Sequence, residues 1–169
     1  MFSSGAQFKG FSPDKTLLLF AFDIQSVWRH SYTARYVVFE SAANTSYNVV
    51  SKDGSEYLQY CDWVENESDL NTLIYVSKND VYWKADGAVT NSEDDEALTT
   101  NGEVDNVFNG IPDWVYEEEV LGVNYAHYIN SVGTRIAFAQ FNDTLVPDFR
   151  YPHYGNPQDV FHSQYPEYR

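Results

Sequence analysis

The sequence is poor in positive charge, in sulfur and in long apolar stretches, and each shortage closes off a class of function. Only 10 Lys and Arg stand against 25 Asp and Glu, a formal net charge of −15 with a sequence pI near 4.3. Binding a phosphate backbone needs basic side chains to displace counterions, so nucleic acid is excluded as a partner. The one cysteine, Cys61, cannot form an internal disulfide and reads as a small buried residue. No window approaches the roughly 18 apolar residues of a membrane span, and the first residues lack a signal peptide's basic and apolar regions. There is no G-x-S-x-G elbow and no glycine-rich phosphate loop. His30, His127, His153 and His162 are scattered without metal-ligand spacing, so neither a metal nor a cofactor is expected.

What the chain does have is apolar and aromatic residue in short extended runs. Hydrophobic residues make up 43% and aromatics 17%, the composition of a folding chain. Thr16 to Phe22, Arg35 to Glu40, Leu73 to Val76, Asp80 to Trp83 and Arg135 to Phe141 read as strands, bounded by Gly, Pro, Asn and Asp. Turn-then-strand openings near Thr16, Leu73 and Ile136 recur 57 and 63 residues apart, the pattern of blades carrying insertions. Gly110-Ile111-Pro112 stops a strand, Asp113 can cap, and Trp114 to Leu121 reads as a short helix. The run Ser92 to Glu96 reads as a solvated loop.

Two clusters hold the candidate chemistry. Glu117, Glu118 and Glu119 follow one another beside Trp114 and Tyr116. Neighbours on a helix lie about 100° apart, so two of the three can lean into one cavity while the third faces elsewhere. Crowded carboxylates repel and resist desolvation, and a substrate ammonium between them relieves both costs. The plainer alternative is a solvated acidic helix start favoured by the dipole. In Trp28-Arg29-His30-Ser31-Tyr32, the Arg29 fork suits a carboxylate or a carbonyl, and the acidic helix is an obvious companion. Sequons stand at Asn44, Asn66 and Asn142, candidate glycosylation sites if the chain is secreted.

Three segments in order, residues 28–34, 109–120 and 137–147, closely resemble the dipeptidyl peptidase IV family, which includes fibroblast activation protein. The resemblance implies an all-β fold: a partial N-terminal β-propeller over 1–169, two to three four-stranded antiparallel blades with one short helical insertion near 113–121. It also implies that the family's α/β-hydrolase domain lies outside this chain. The parent would be a serine-type peptidase that removes Xaa-Pro or Xaa-Ala dipeptides. By the same resemblance, Glu118 and Glu119 hold the free amino terminus of a peptide substrate, and Arg29 helps hold a substrate carbonyl. Further implied partners are the rest of the propeller, the hydrolase domain and a second copy of the parent. The implied location is the extracellular face of the plasma membrane or the secreted space, and Asn142 falls on a family sequon. Peptidase-dead relatives that serve as auxiliary subunits of potassium channels give an alternative, favoured by Leu58-Gln59-Tyr60 and Gly110-Ile111-Pro112. Two departures stand out. Two of the three family Ser-Pro-x-Gly turns have lost proline, at 65–69 and 130–133, which puts their hairpins in doubt, and a Trp-Trp pair is replaced by His127-Tyr128.

Overall fold

The structure, a computed structural model, describes residues 5–65 and 71–147. The first blade is an antiparallel meander of β1 (Gln7–Phe11), β2 (Leu17–Ser26), β3 (Tyr32–Glu40) and β4 (Thr45–Val49). The second repeats it with β5 (Tyr60–Trp63), β6 (Leu73–Ser77), β7 (Asp80–Lys84) and β8 (Glu96–Ala97). Then come β9 (Val107–Asn109), β10 (His127–Ile129), β11 (Ile136–Phe138) and β12 (Gln140–Asn142), which pair as β10 with β11 and β9 with β12. The repeat read from the sequence is thus structural: the openings near Thr16, Leu73 and Ile136 start β2, β6 and β11, each the second strand of its sheet.

Alternation explains how the sheets stack. Leu17, Leu19 and Ala21 of β2 and Ala34, Tyr36 and Val38 of β3 point to one face, where they meet Leu73 and Tyr75 of β6 and the buried Cys61. Ile74 and Val76 leave β6 in the opposite direction and meet Val81, Phe108 and Ile111. All five residues of β6 are buried, so this strand belongs to two cores at once. The outermost faces are less covered, with Phe8 and Phe11 on one side and Tyr128 and Phe138 on the other left exposed.

Local chemistry closes the hairpins. Lys78 and Asn79 both have positive φ, 50° and 65°, the two-residue type I′ turn that matches strand twist. At Asn130-Ser131-Val132-Gly133 the lost proline has not cost the hairpin. The Asn130 side-chain oxygen accepts the N–H groups of Thr134 and Arg135 at 2.9 and 2.7 Å, and Gly133 supplies a left-handed φ of 68°. The turn at 65–69 lies outside the described residues beyond Glu65.

Two expectations are corrected, and a third, the short helix, is borne out and given its winding. The run from Arg135 to Phe141 is not one ladder: it breaks at Ala139, whose N–H donates to Ala126 O at 2.8 Å and whose carbonyl accepts the Gly110 N–H at 3.0 Å. The helical insertion separates β9 from β10, so the returning strand must change partner there. The helix itself winds wider than an α-helix, as a π turn over Tyr116–Leu121 closed by Gly122 N–H to Glu117 O at 2.9 Å. Finally, the acidic run at 92–96 is not wholly solvated. Asp95 is buried, pairs with the equally buried Lys84 at 3.2 Å, and accepts the Tyr75 hydroxyl at 2.9 Å. Burial pushes the Asp95 carboxyl up from its usual range, against the pull of Tyr75 and Lys84.

Removing one partner of a buried pair strands the other charge. Asp95→Ala leaves the Lys84 ammonium buried with only the Asn91 carbonyl at 2.7 Å. It is expected to lower the unfolding free energy by about 3–5 kcal/mol, more than Lys84→Met, after which Asp95 keeps its Tyr75 hydroxyl and its carboxyl, already pushed up by burial, can take a proton. Urea unfolding followed by tryptophan fluorescence checks the order of the two.

Candidate functional site

The site lies where the β2–β3 hairpin of the first blade meets the π turn. Opposite Thr33 and Arg35 of β3, β2 carries an extra residue between Phe22 and Gln25, with Asp23 at a left-handed φ of 53°. Such a bulge bends and twists a hairpin, and the tip beyond it carries the Trp28-to-Ser31 segment. The tip closes on itself: Val27 N–H donates to Ser31 O at 3.0 Å and Trp28 N–H to the Ser31 hydroxyl at 3.2 Å.

The acidic turn is held from the other side. Asp113 accepts the Tyr116 N–H at 2.7 Å, the cap expected of it. Just before it, Gly110 sits at φ 69°, donates to Ala139 O, and accepts Ala126 N–H at 2.7 Å and the His127 ring Nδ1 at 2.8 Å. A side chain at Gly110 would place its Cβ 2.6 Å from Val81 Cγ2. Glycine is therefore required by conformation and by space. Asn109 adds a buried tie, donating to Asn79 O at 3.1 Å and to Asp80 at 3.2 Å.

Hairpin and turn meet through carboxylates. Arg29 Nη1 lies 2.9 Å from Glu118 Oε2, and the Arg29 N–H donates to Glu118 Oε1 at 3.2 Å. Glu117, fully buried, accepts the N–H groups of His30 and Ser31 on Oε1 at 2.8 and 3.1 Å. Glu119 is exposed. The structure thus brings Arg29 and Glu118 together, leaves Glu119 open beside them, and turns the first two acids of the triplet, not the last two, toward the hairpin. The Glu118 side chain is only 7% exposed whereas Arg29 is 72% exposed, so the pair presents a cationic edge to solvent. Beneath the tip lies a cleft of about 120 Å³ lined by Trp28, Tyr32, Phe108, Ile111 and Glu117.

Residue types and order alone did not single out Glu117 from its neighbours, and Asp95 was hidden in an acidic run. Asn44 and Asn142 are exposed, while Asn66 lies outside the described residues, as do His153 and His162. Among the described residues, no three His, Cys, Asp or Glu side chains stand together as a metal site.

Comparison with known proteins identifies the family. The family model of the dipeptidyl peptidase IV N-terminal region matches residues 12–169. The chain belongs to the dipeptidyl peptidase IV family. Dipeptidyl peptidase 4 of Arthroderma otae is 38% identical over 148 residues, covering 88% of this chain and 18% of that protein. Human prolyl endopeptidase FAP is 36% identical over 158 residues, covering 94% of this chain and 20% of that protein. This member of the dipeptidyl peptidase IV family therefore spans about a fifth of the length of these relatives. The crystal structure of Porphyromonas gingivalis dipeptidyl peptidase 4 superposes with a TM-score of 0.70 at 24% identity, over 90% of this chain and 21% of that one. At that identity the superposition speaks for the fold, a fragment of the family's N-terminal propeller.

Two outcomes follow from the Gly110 junction. Gly110→Ala is expected to cost about 1–3 kcal/mol through the strained φ and the Val81 overlap, read as a lowered urea midpoint. His127 is held neutral: burial lowers its pKa below the ordinary 6.5, outweighing its Gly110 bond. The unfolded imidazole gains a proton as pH falls through 6.5 while the folded one does not, so stability is full above that pH and is lost below it. Thermal midpoints between pH 7.5 and 5 should fall less steeply in His127→Gln than in the parent sequence.

Proposed function

We propose that this chain is the substrate-recognising N-terminal part of a serine-type dipeptidyl peptidase, in which Glu118 and Glu119 receive the free amino terminus of a peptide and Arg29 a backbone carbonyl. The observation that carries this reading is the Arg29–Glu118 ion pair at 2.9 Å, formed across 89 residues beside the exposed Glu119. Two carboxylates and one guanidinium sum to a single negative charge, the complement of one ammonium. Glu119 offers that charge in water-accessible form, and Glu118 adds acceptor capacity in a drier setting, where a charged hydrogen bond is stronger. A guanidinium has five donors, and the Glu118 contact through Nη1 leaves a donor-bearing edge exposed to take a substrate carbonyl.

The chemistry of cleavage belongs to the parent's α/β-hydrolase domain, and the remaining blades complete the ring around this site. The relatives named dipeptidyl peptidase 4 support a dipeptidyl peptidase parent, and in this reading the dipeptides it removes are Xaa-Pro or Xaa-Ala. A site that counts from a free amino terminus fixes the cut two residues in. The same reading puts the parent on the extracellular face of the plasma membrane or in the secreted space, with a second copy as partner. Glycans would then occupy Asn142, Asn44 and Asn66.

The test is binding of the tripeptide Ala-Pro-Ala against its N-acetyl form, followed by amide chemical shifts of the 169-residue chain. Acetylation, Glu118→Gln and Glu119→Gln are each expected to weaken binding at least tenfold, about 1.4 kcal/mol. Equal affinity for the two peptides would sink the proposal.

A further inference from the structure

We infer that Glu117 is a positioning residue that sets where Arg29 stands, by clamping the backbone of the β2–β3 hairpin without touching the substrate. This rests on the amino-terminus reading of Arg29, Glu118 and Glu119 and deepens it. Three consecutive backbone N–H groups, those of Arg29, His30 and Ser31, all donate to the acidic turn: the first to Glu118 Oε1 at 3.2 Å, the next two to the same oxygen of Glu117 at 2.8 and 3.1 Å. Successive N–H groups converging on carboxylates form an anion-binding concavity, here filled by the chain's own side chains. Glu117 is fully exchanged out of water and its second oxygen, Oε2, is buried with no hydrogen-bond partner among the described residues. A carboxyl oxygen that accepts two N–H groups out of water leaves neither of them unpaired.

Apolar packing seats the base of the tip but does not orient it. Trp28 packs against the second core, its ring centroid 6.2 Å from that of Phe108, and Tyr32 packs against the first, while Arg29 and His30 between them are placed by hydrogen bonds. The hairpin is 72% exposed at the Arg29 side chain, and its own closing bonds, Val27 to Ser31 and Trp28 to Ser31, fix its shape but not its place relative to the turn. Glu117 and Glu118 supply the hydrogen bonds that do. A displacement of about 1 Å at a recognition group can cost as much as losing it, so a residue that never meets the peptide still governs its binding. The division of labour within the triplet follows: Glu117 builds, Glu118 joins, Glu119 faces outward.

The experiment measures hydrogen exchange at the His30 and Ser31 amides without peptide, and the preference for Ala-Pro-Ala over its N-acetyl form, in the 169-residue chain and its variants. Glu117→Ala is expected to speed exchange at both amides at least tenfold, to leave the Ile74 and Val76 amides of β6 protected, and to reduce the preference about tenfold. Glu117→Gln keeps a carbonyl oxygen in place of Oε1 and is expected to restore both protection and preference, which a direct charge contact with the ammonium would not allow. Unchanged exchange at His30 and Ser31 in Glu117→Ala overturns the inference, as does a lost preference in Glu117→Gln with both amides still protected. If Glu117→Ala also strips protection from β6, the Glu117→Gln arm decides alone on the same terms. An unsubstituted 169-residue chain with no preference for the free amino terminus, whose two amides are nonetheless released by Glu117→Ala, would sink the amino-terminus reading while the clamp itself stood.

Discussion

Burial of both faces of β6 is the constraint on which the rest depends. A strand with one wet face can slide or pair differently, but Leu73 and Tyr75 enter one core while Ile74 and Val76 enter the other. A slip of one residue would exchange the two sets and ruin both interfaces together. The register of the second blade is therefore fixed from two sides, and through it the places of the first blade and of β9. β2 and β3 pack into the first core, and Trp28 at their tip reaches across to Phe108 of the second, so the tip is tied directly to the side that carries the acidic turn.

Upon that frame the site is assembled by backbone as much as by side chain. Asp113 caps, Gly110 turns under carbonyls and a ring nitrogen, and the wide π winding brings Glu117 and Glu118 against the hairpin. Backbone N–H groups that would otherwise need water find carboxylates, and carboxylates that would otherwise need a counter-ion find N–H groups and Arg29. Each side satisfies the other, which is how a patch of an acidic protein can hold two partly dehydrated acids side by side. Their combined charge with Arg29 and Glu119 remains negative.

The buried polar groups of the second blade show the same economy. Lys84, Asp95 and Tyr75 form one connected set, and Asn109 ties β9 to the Asn79-Asp80 turn. These bonds give directional restraint to a sheet whose β8 is only two residues long. Apolar packing supplies attraction between blades, and the polar ties decide their alignment.

Much of this was legible beforehand, for identifiable reasons. Period-two alternation, turn residues and the recurrence at Thr16, Leu73 and Ile136 are local properties, and they determined strands, hairpins and the blade repeat. Three ordered motifs carried the family resemblance, and the companionship of Arg29 with the acids followed from opposite charge alone. Tertiary structure decided what depends on residues far apart in the chain. It broke the strand at Ala139 because β9 and β10 stand on either side of an insertion. It drew Asp95 out of a solvent-like run because Lys84 and Tyr75 were waiting in the core. It also sorted three identical glutamates into one buried, one paired and one exposed, since composition and spacing cannot distinguish neighbours whose surroundings arrive from 86 to 89 residues away.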